Sequence, residues 1–162
     1  MPCERLAPVM DLLFAFRTIM PTYQTSIQIH APLDVTWSVL SQVAEWPQWL
    51  PTVSKVEPLD GLDLAKGHRF TLHQPKVQPT TWTVSEVEPQ HRFTWKAKSP
   101  GLRLIADHVL QKQSSEQLEL TLMFSFRGLL GWWVGPKYKA ITMILLAKEA
   151  KSLKRRAETL AS

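Results

Sequence analysis

The residues able to do chemistry in this chain are few. Of five histidines, His108 stands out. In LRLIADHVLQ (102–111) it shares a strand face with Leu102, Leu104, Ala106 and Leu110. An imidazole on such a face can orient a polar ligand group or act as an acid or base near neutral pH. It can equally be a core histidine satisfied by a neighbour. Glu86, on another strand, is a candidate partner, though nothing in the sequence brings the two together. No H-x-x-x-H or H-E-x-x-H spacing occurs, so no helical metal motif is present. The single cysteine, Cys3, allows neither an internal disulfide nor a cysteine-based zinc site. G-x-S-x-G, P-loop and G-x-G-x-x-G patterns are absent, so no metal and no cofactor are expected.

Aromatic residues are the second signal. Seven tryptophans in 162 residues need somewhere to pack, or a ligand to pack against. Trp46 and Trp49 fall in AEWPQWLP (44–51), where they either close an apolar cavity or pin a short helix to the core. Trp95 alternates inward with Phe93 in HRFTWKA (91–97) and could stack on a ligand ring. Trp82 is a candidate neighbour, but TTWTVSEV gives no clean face. Phe70, Leu120, Leu122 and Phe124 are expected as sheet core or cavity wall, with Met143, Leu146 and Ala150 facing them from the last helix. Met143 would adapt to varied apolar shapes and Ala150 would leave room. Trp132, Trp133 and Tyr138 cluster beside Gly131 and Gly135, as a portal or a contact between copies.

The elements that must position these residues are legible from periodicity. TYQTSIQIHA (22–31) alternates as a half-buried strand. Pro32 then suits the first turn of a helix carrying Leu33, Trp37 and Leu40 on one face. AEWPQWLP reads as a second short helix, with Pro47 near its start. Strands follow at 52–59, 68–74, 80–89, 91–97, 102–111 and 118–126. Links between the last five are short, which implies an antiparallel meander. GLLGWWVGP (128–136) reads as an irregular lead-in. Met143, Leu146, Ala150, Leu153, Ala157 and Leu160 then form one apolar stripe of a long helix. An antiparallel sheet with one apolar face needs a cover, and this helix is the one element long enough. The expected fold is therefore α+β: a curved seven-stranded antiparallel sheet around a long C-terminal helix, with two short helices after the first strand.

Length fits one domain, over residues 22–162, preceded by an extension at 1–21. That extension is either a short amphipathic helix or the product of a mis-set start, with Met10 and Met20 as alternatives. Its apolar run is too short to span a bilayer and resembles no secretory signal. A cytoplasmic location and no integral membrane association are expected. The net charge of +5 resides between Lys137 and Glu158, where seven basic residues face two acids. Such a helix can touch an acidic membrane surface or simply be solvated. No nucleic-acid motif accompanies it.

IHAPLDVTWSVLSQVAEWPQWLPTVSKVE resembles the opening of the SRPBCC superfamily, also called START-like or helix-grip, and more closely its polyketide cyclase/dehydrase and lipid-transport branch. The matching features are Ala31-Pro32, Asp34, Trp37, Trp46-Pro47-Gln48-Trp49, Gly67, FTW (93–95), His108, FRG (126–128) and LKRRAE (153–158). Thr36 departs from the branch, which usually has an aliphatic residue there. The resemblance covers about residues 22–160 and implies the same helix-grip fold. It does not choose a function, because the superfamily includes carriers and enzymes. The reading is binding or transport of a small hydrophobic ligand, a lipid, acyl chain or aromatic compound. The alternatives are a cyclase or dehydratase using His108, and a module docking a membrane or partner.

Overall fold

A computed structural model describes residues 20–162; the extension expected at 1–21 lies almost wholly outside them. Strand β1 (Thr22–Ile29) is followed by helix α1 (Leu33–Ser41) and a 3-10 helix (Val43–Gln48). Six strands come next: β2 (Lys55–Pro58), β3 (Arg69–His73), β4 (Thr80–Glu88), β5 (Arg92–Ser99), β6 (Leu102–Lys112) and β7 (Leu118–Arg127). Helix α2 (Leu129–Ala161) ends the chain. All seven strands form one curved antiparallel sheet in the order β1-β7-β6-β5-β4-β3-β2. The meander is therefore β2 to β7, and β1 adds to its far edge. Helix α2 packs on β1, β7 and β6, and α1 packs on α2. This is the expected α+β architecture.

Pairing of β5 with β6 shows how the sheet assigns its faces. Phe93 opposes His108 on the inner face, and Thr94 opposes Asp107 on the outer face. Buried Asp107 accepts from Arg92 Nε and Nη2, each at 2.8 Å, and from Thr94 Oγ1 at 2.7 Å. These bonds hold the Arg92 guanidinium above its ordinary pKa. A slip of β5 by one residue would turn Arg92 inward and Phe93 outward and break these bonds, so this network holds the register.

Four details differ from the periodicity reading. The segment after α1 is a 3-10 helix, and Pro47 stands near its end rather than its start. Its turns need only short-range bonds, which Trp49 N and Leu50 N supply by donating to Trp46 O at 3.1 and 2.7 Å. The ambiguous face of β4 has a cause in a register shift between Val84 and Glu86. That bulge changes the phase of the alternation, while Trp82 and Val84 both stay buried. GLLGWWVGP is helical, not irregular: α2 begins at Leu129 and contains Pro136. Its glycines serve close approach. A Cβ on Gly135 would stand 2.5 Å from the Pro21 ring, and one on Gly131 would stand 2.8 Å from the Phe126 backbone. Finally, the apolar stripe stops at Ala157, since Leu160 is exposed. Thr36, the departure from the branch pattern, is fully buried and donates to Pro32 O at 3.1 Å.

Candidate functional site

Between the sheet and the first half of α2 lies a cavity of about 310 Å³. Trp82 of β4, Trp95 of β5, Leu104, Ala106 and His108 of β6, and Leu122, Phe124 and Phe126 of β7 line it from the sheet. Val134, Tyr138, Ile141, Thr142, Leu145, Leu146 and Glu149 line it from α2. Trp46, Leu50 and Val53 line it from the 3-10 helix and the segment after it, Gln74 and Val77 from the β3–β4 connection, and Thr80 from the start of β4.

The alternation of β4 to β7 puts its large rings into one box. Trp82 and Trp95 stack with centroids 5.3 Å apart, and Phe93 lies flat on His108 at 4.1 Å and 8°. Trp46 reaches from the 3-10 helix to within 5.3 Å of Trp95 and 5.9 Å of His108. Its Nε1 donates to Leu40 O at 3.0 Å, which satisfies the indole and fixes the ring. So Trp46 both pins the short helix and walls the cavity. Trp49 sits behind it, 5.9 Å away, and does not line the cavity.

The polar content is concentrated. His108 Nε2 stands 2.9 Å from Glu149 Oε1, joining β6 to α2 across the cavity wall. An ionised Glu149 accepts this bond from Nε2–H. His108 Nδ1 and Trp95 Nε1 are both buried without a hydrogen-bond partner among the described residues. Buried polar atoms ordinarily have partners. Two such ring nitrogens, on rings 5.8 Å apart, are what a ligand hydroxyl, able both to donate and to accept, would satisfy. No group of three or more His, Cys, Asp or Glu among the described residues could hold a metal ion.

Of the residues singled out from sequence, the cavity brings together Trp46, Trp82, Trp95, His108, Leu122, Phe124 and Leu146. Trp49, Phe70, Leu120, Met143 and Ala150 do not border it. Phe70, Leu120 and Ala150 are core, and Met143 packs against that core. Glu86 does not meet His108; it lies 3.8 Å from Arg92 on the outer surface. The residue that sequence reasoning missed is Glu149, counted there only as one acid in a basic helix. The available signal was its spacing from apolar positions: Leu145 and Leu146 precede Glu149 by four and three residues, so they share a side of α2.

A long helix gripped by a curved antiparallel sheet, with an internal cavity between them, defines the helix-grip class of the START-like superfamily. The family described as polyketide cyclase / dehydrase and lipid transport matches residues 20–158, and the chain belongs to it. No curated protein matches the chain. Among solved structures, it is similar to the Zhui aromatase/cyclase from Streptomyces sp. R1128, at 18% identity and a TM-score of 0.71, over 86% of this chain and 94% of that one. It is also similar to a START superfamily protein from Mycobacterium smegmatis, at 17% identity and 0.65, over 86% and 98%. A norcoclaurine synthase point mutant from Thalictrum flavum aligns at 12% identity and 0.69, over 89% and 98%. At such identities these neighbours speak for the fold alone. No helix among the described residues is long and apolar enough to cross a membrane.

Proposed function

We propose that the cavity binds a small hydrophobic ligand, aromatic or acyl in character, with its polar group turned to His108, Glu149 and Trp95. The observation that carries this reading is the cavity's contrast. Its wall is mostly apolar, and its one ion-pairing couple sits beside two ring nitrogens that are unpaired among the described residues. A volume of 310 Å³ lies at the lower end of small-molecule sites, which run from about 300 to 1,000 Å³. Covering about 200 Å² of apolar ligand surface would contribute roughly 5 kcal/mol before ordering costs, so polar contacts must raise the affinity.

Native mass spectrometry of the purified chain, followed by denaturing extraction, tests this. A discrete adduct of small-molecule mass is expected, and it should vanish in Ala106→Phe, which fills the cavity. An adduct that survives Ala106→Phe would place the ligand elsewhere and defeat the reading.

A second reading has its own observation in the 2.9 Å contact of His108 with Glu149. A carboxylate that fixes the imidazole tautomer leaves Nδ1 free to take a proton, as a cyclisation or dehydration would need. With the extracted ligand or its precursor in hand, His108→Gln should then abolish turnover and leave affinity nearly intact. Loss of affinity with no turnover in the wild-type chain would leave binding alone.

A further inference from the structure

The first half of α2 carries large apolar side chains well beyond the face it turns to the sheet, and these lie at the surface. Seven of the eleven large hydrophobic side chains that the described residues leave exposed fall between Leu129 and Ile144, so the patch is a concentration and not a scatter. Leu129 is 88% exposed, Trp132 55% and Trp133 64%. Leu129, Trp133, Pro136, Ala140 and Ile144 follow the i, i+4, i+7, i+11, i+15 spacing of one helical stripe. That stripe points away from the sheet. Tyr138 and Ile141 continue the exposed surface to the cavity wall. A large exposed apolar patch of this kind marks an interaction site.

Charge says which partner. No Asp or Glu occurs between residues 89 and 106, or between residues 120 and 148. Lys98, Arg103 and Arg127 oppose one another across β5, β6 and β7. They flank the β5–β6 turn, whose Gly101 O accepts from Leu130 N at 2.9 Å, so they stand at the start of α2. Lys137 and Lys139 follow on the helix itself. None of these five cations takes part in an ion pair among the described residues. Pro21 meets α2 at Gly135, in the middle of the patch.

We propose that this end of the molecule docks on an anionic lipid membrane, with Trp132, Trp133 and Leu129 entering the interface and the five cations facing the headgroups. Tryptophan with flanking Lys and Arg is the composition such interfaces favour. A second copy of the chain is the poorer occupant, because it would bring a second acid-free cationic surface against the first. Docking this way sets Tyr138 and Ile141, at the cavity wall, beside the bilayer. The proposal does not depend on what the cavity binds.

Co-sedimentation of the full chain with phosphatidylcholine vesicles, with and without phosphatidylglycerol, at low and high salt, is the test. Binding is expected with phosphatidylglycerol, falling as salt rises. Lys137→Glu/Lys139→Glu should weaken it about tenfold or more. Trp132→Ala/Trp133→Ala should weaken it about tenfold or more with the melting temperature unchanged, since both rings are exposed. No binding to anionic vesicles at low salt would overturn the proposal, as would binding that the tryptophan pair does not affect. A dimer in sedimentation velocity that Trp132→Ala/Trp133→Ala dissolves, without vesicle binding, would assign the face to a second copy. Vesicle binding seen only after Leu13→Glu/Phe16→Glu would assign it to residues 1–19.

Discussion

From Leu146 to Ala161, α2 is a packing element; from Leu129 to Leu145 it is a wall with space beneath it. The C-terminal half buries Leu146, Ala150, Leu153 and Ala157 against the core. It is also clamped to the end of β1. Lys154 Nζ donates to Gln28 O at 2.6 Å and to Glu158 Oε1 at 2.8 Å, and His30 N donates to the same Glu158 oxygen at 2.8 Å. The N-terminal half buries only Gly131, Gly135 and Thr142. Its anchors are backbone contacts and one bond from Tyr23 Oη to Gly135 O at 3.1 Å. Its longer side chains border the cavity or solvent. The comparison teaches how a close-packed fold keeps a hollow. One half of the helix fixes the spacing to the sheet, and the other half leaves part of that spacing unfilled.

The division can be broken most sharply at Leu153, which is fully buried. Leu153→Ala should lose about 2–5 kcal/mol in urea unfolding. Ile141→Ala, at the cavity wall and 45% exposed, should lose less than about 1 kcal/mol. Equal losses would mean that the two halves pack alike.

Gly135→Ala sets two effects against each other. Helix propensity favours alanine by up to about 1 kcal/mol. The new Cβ would stand 2.5 Å from the Pro21 ring, and such overpacking costs about 1–3 kcal/mol. Net destabilisation by about 1–2 kcal/mol is expected from chemical denaturation. A stabilised variant would show that β1 yields easily at its start.

His108 and Glu149 join the two regimes, since the carboxylate belongs to α2 and the imidazole to the sheet. Glu149→Ala leaves His108 Nε2 unpaired and should lose about 1–3 kcal/mol. His108→Phe/Glu149→Leu should recover most of that, because replacing both members of a buried pair is often neutral. A stable double variant that no longer discriminates ligands by their polar group would separate the site from the fold.

The smallest effect is at the clamp. Burial pushes the Glu158 carboxyl up, but Lys154 and the His30 N–H more than offset this and hold it below its ordinary value of 4.5. Its contribution is therefore complete above that value and is lost as pH falls through the lower folded-state value. Being partly exposed, it amounts to well under about 1 kcal/mol. Glu158→Gln should lower stability slightly at neutral pH, and that difference should vanish as pH falls, which flattens the acid limb. A loss at neutral pH as large as that of Leu153→Ala would refute the ranking.

Strand and helix order, the closure of the sheet by α2, and the inward direction of Trp95, His108, Leu122 and Phe124 could be read from the chain. Alternation with period two and a 3.6-residue stripe are local properties, and each declares its face without reference to the rest of the fold. The same logic failed where two elements had to be registered against each other. Which inward residues become core and which become cavity wall depends on the distance between sheet and helix. Phe70 and Leu120 are core alone, while Leu122 also walls the cavity, although their local patterns are alike. Glu149 looked like surface charge because its partner lies 41 residues away on a different element. The glycines before Lys137 looked like breaks because their neighbours, Pro21 and Phe126, belong to other strands or their ends. Periodicity thus determined the elements and their buried faces. Only tertiary packing decided where the space lies, and which two titratable groups share it, because both follow from contacts remote in sequence.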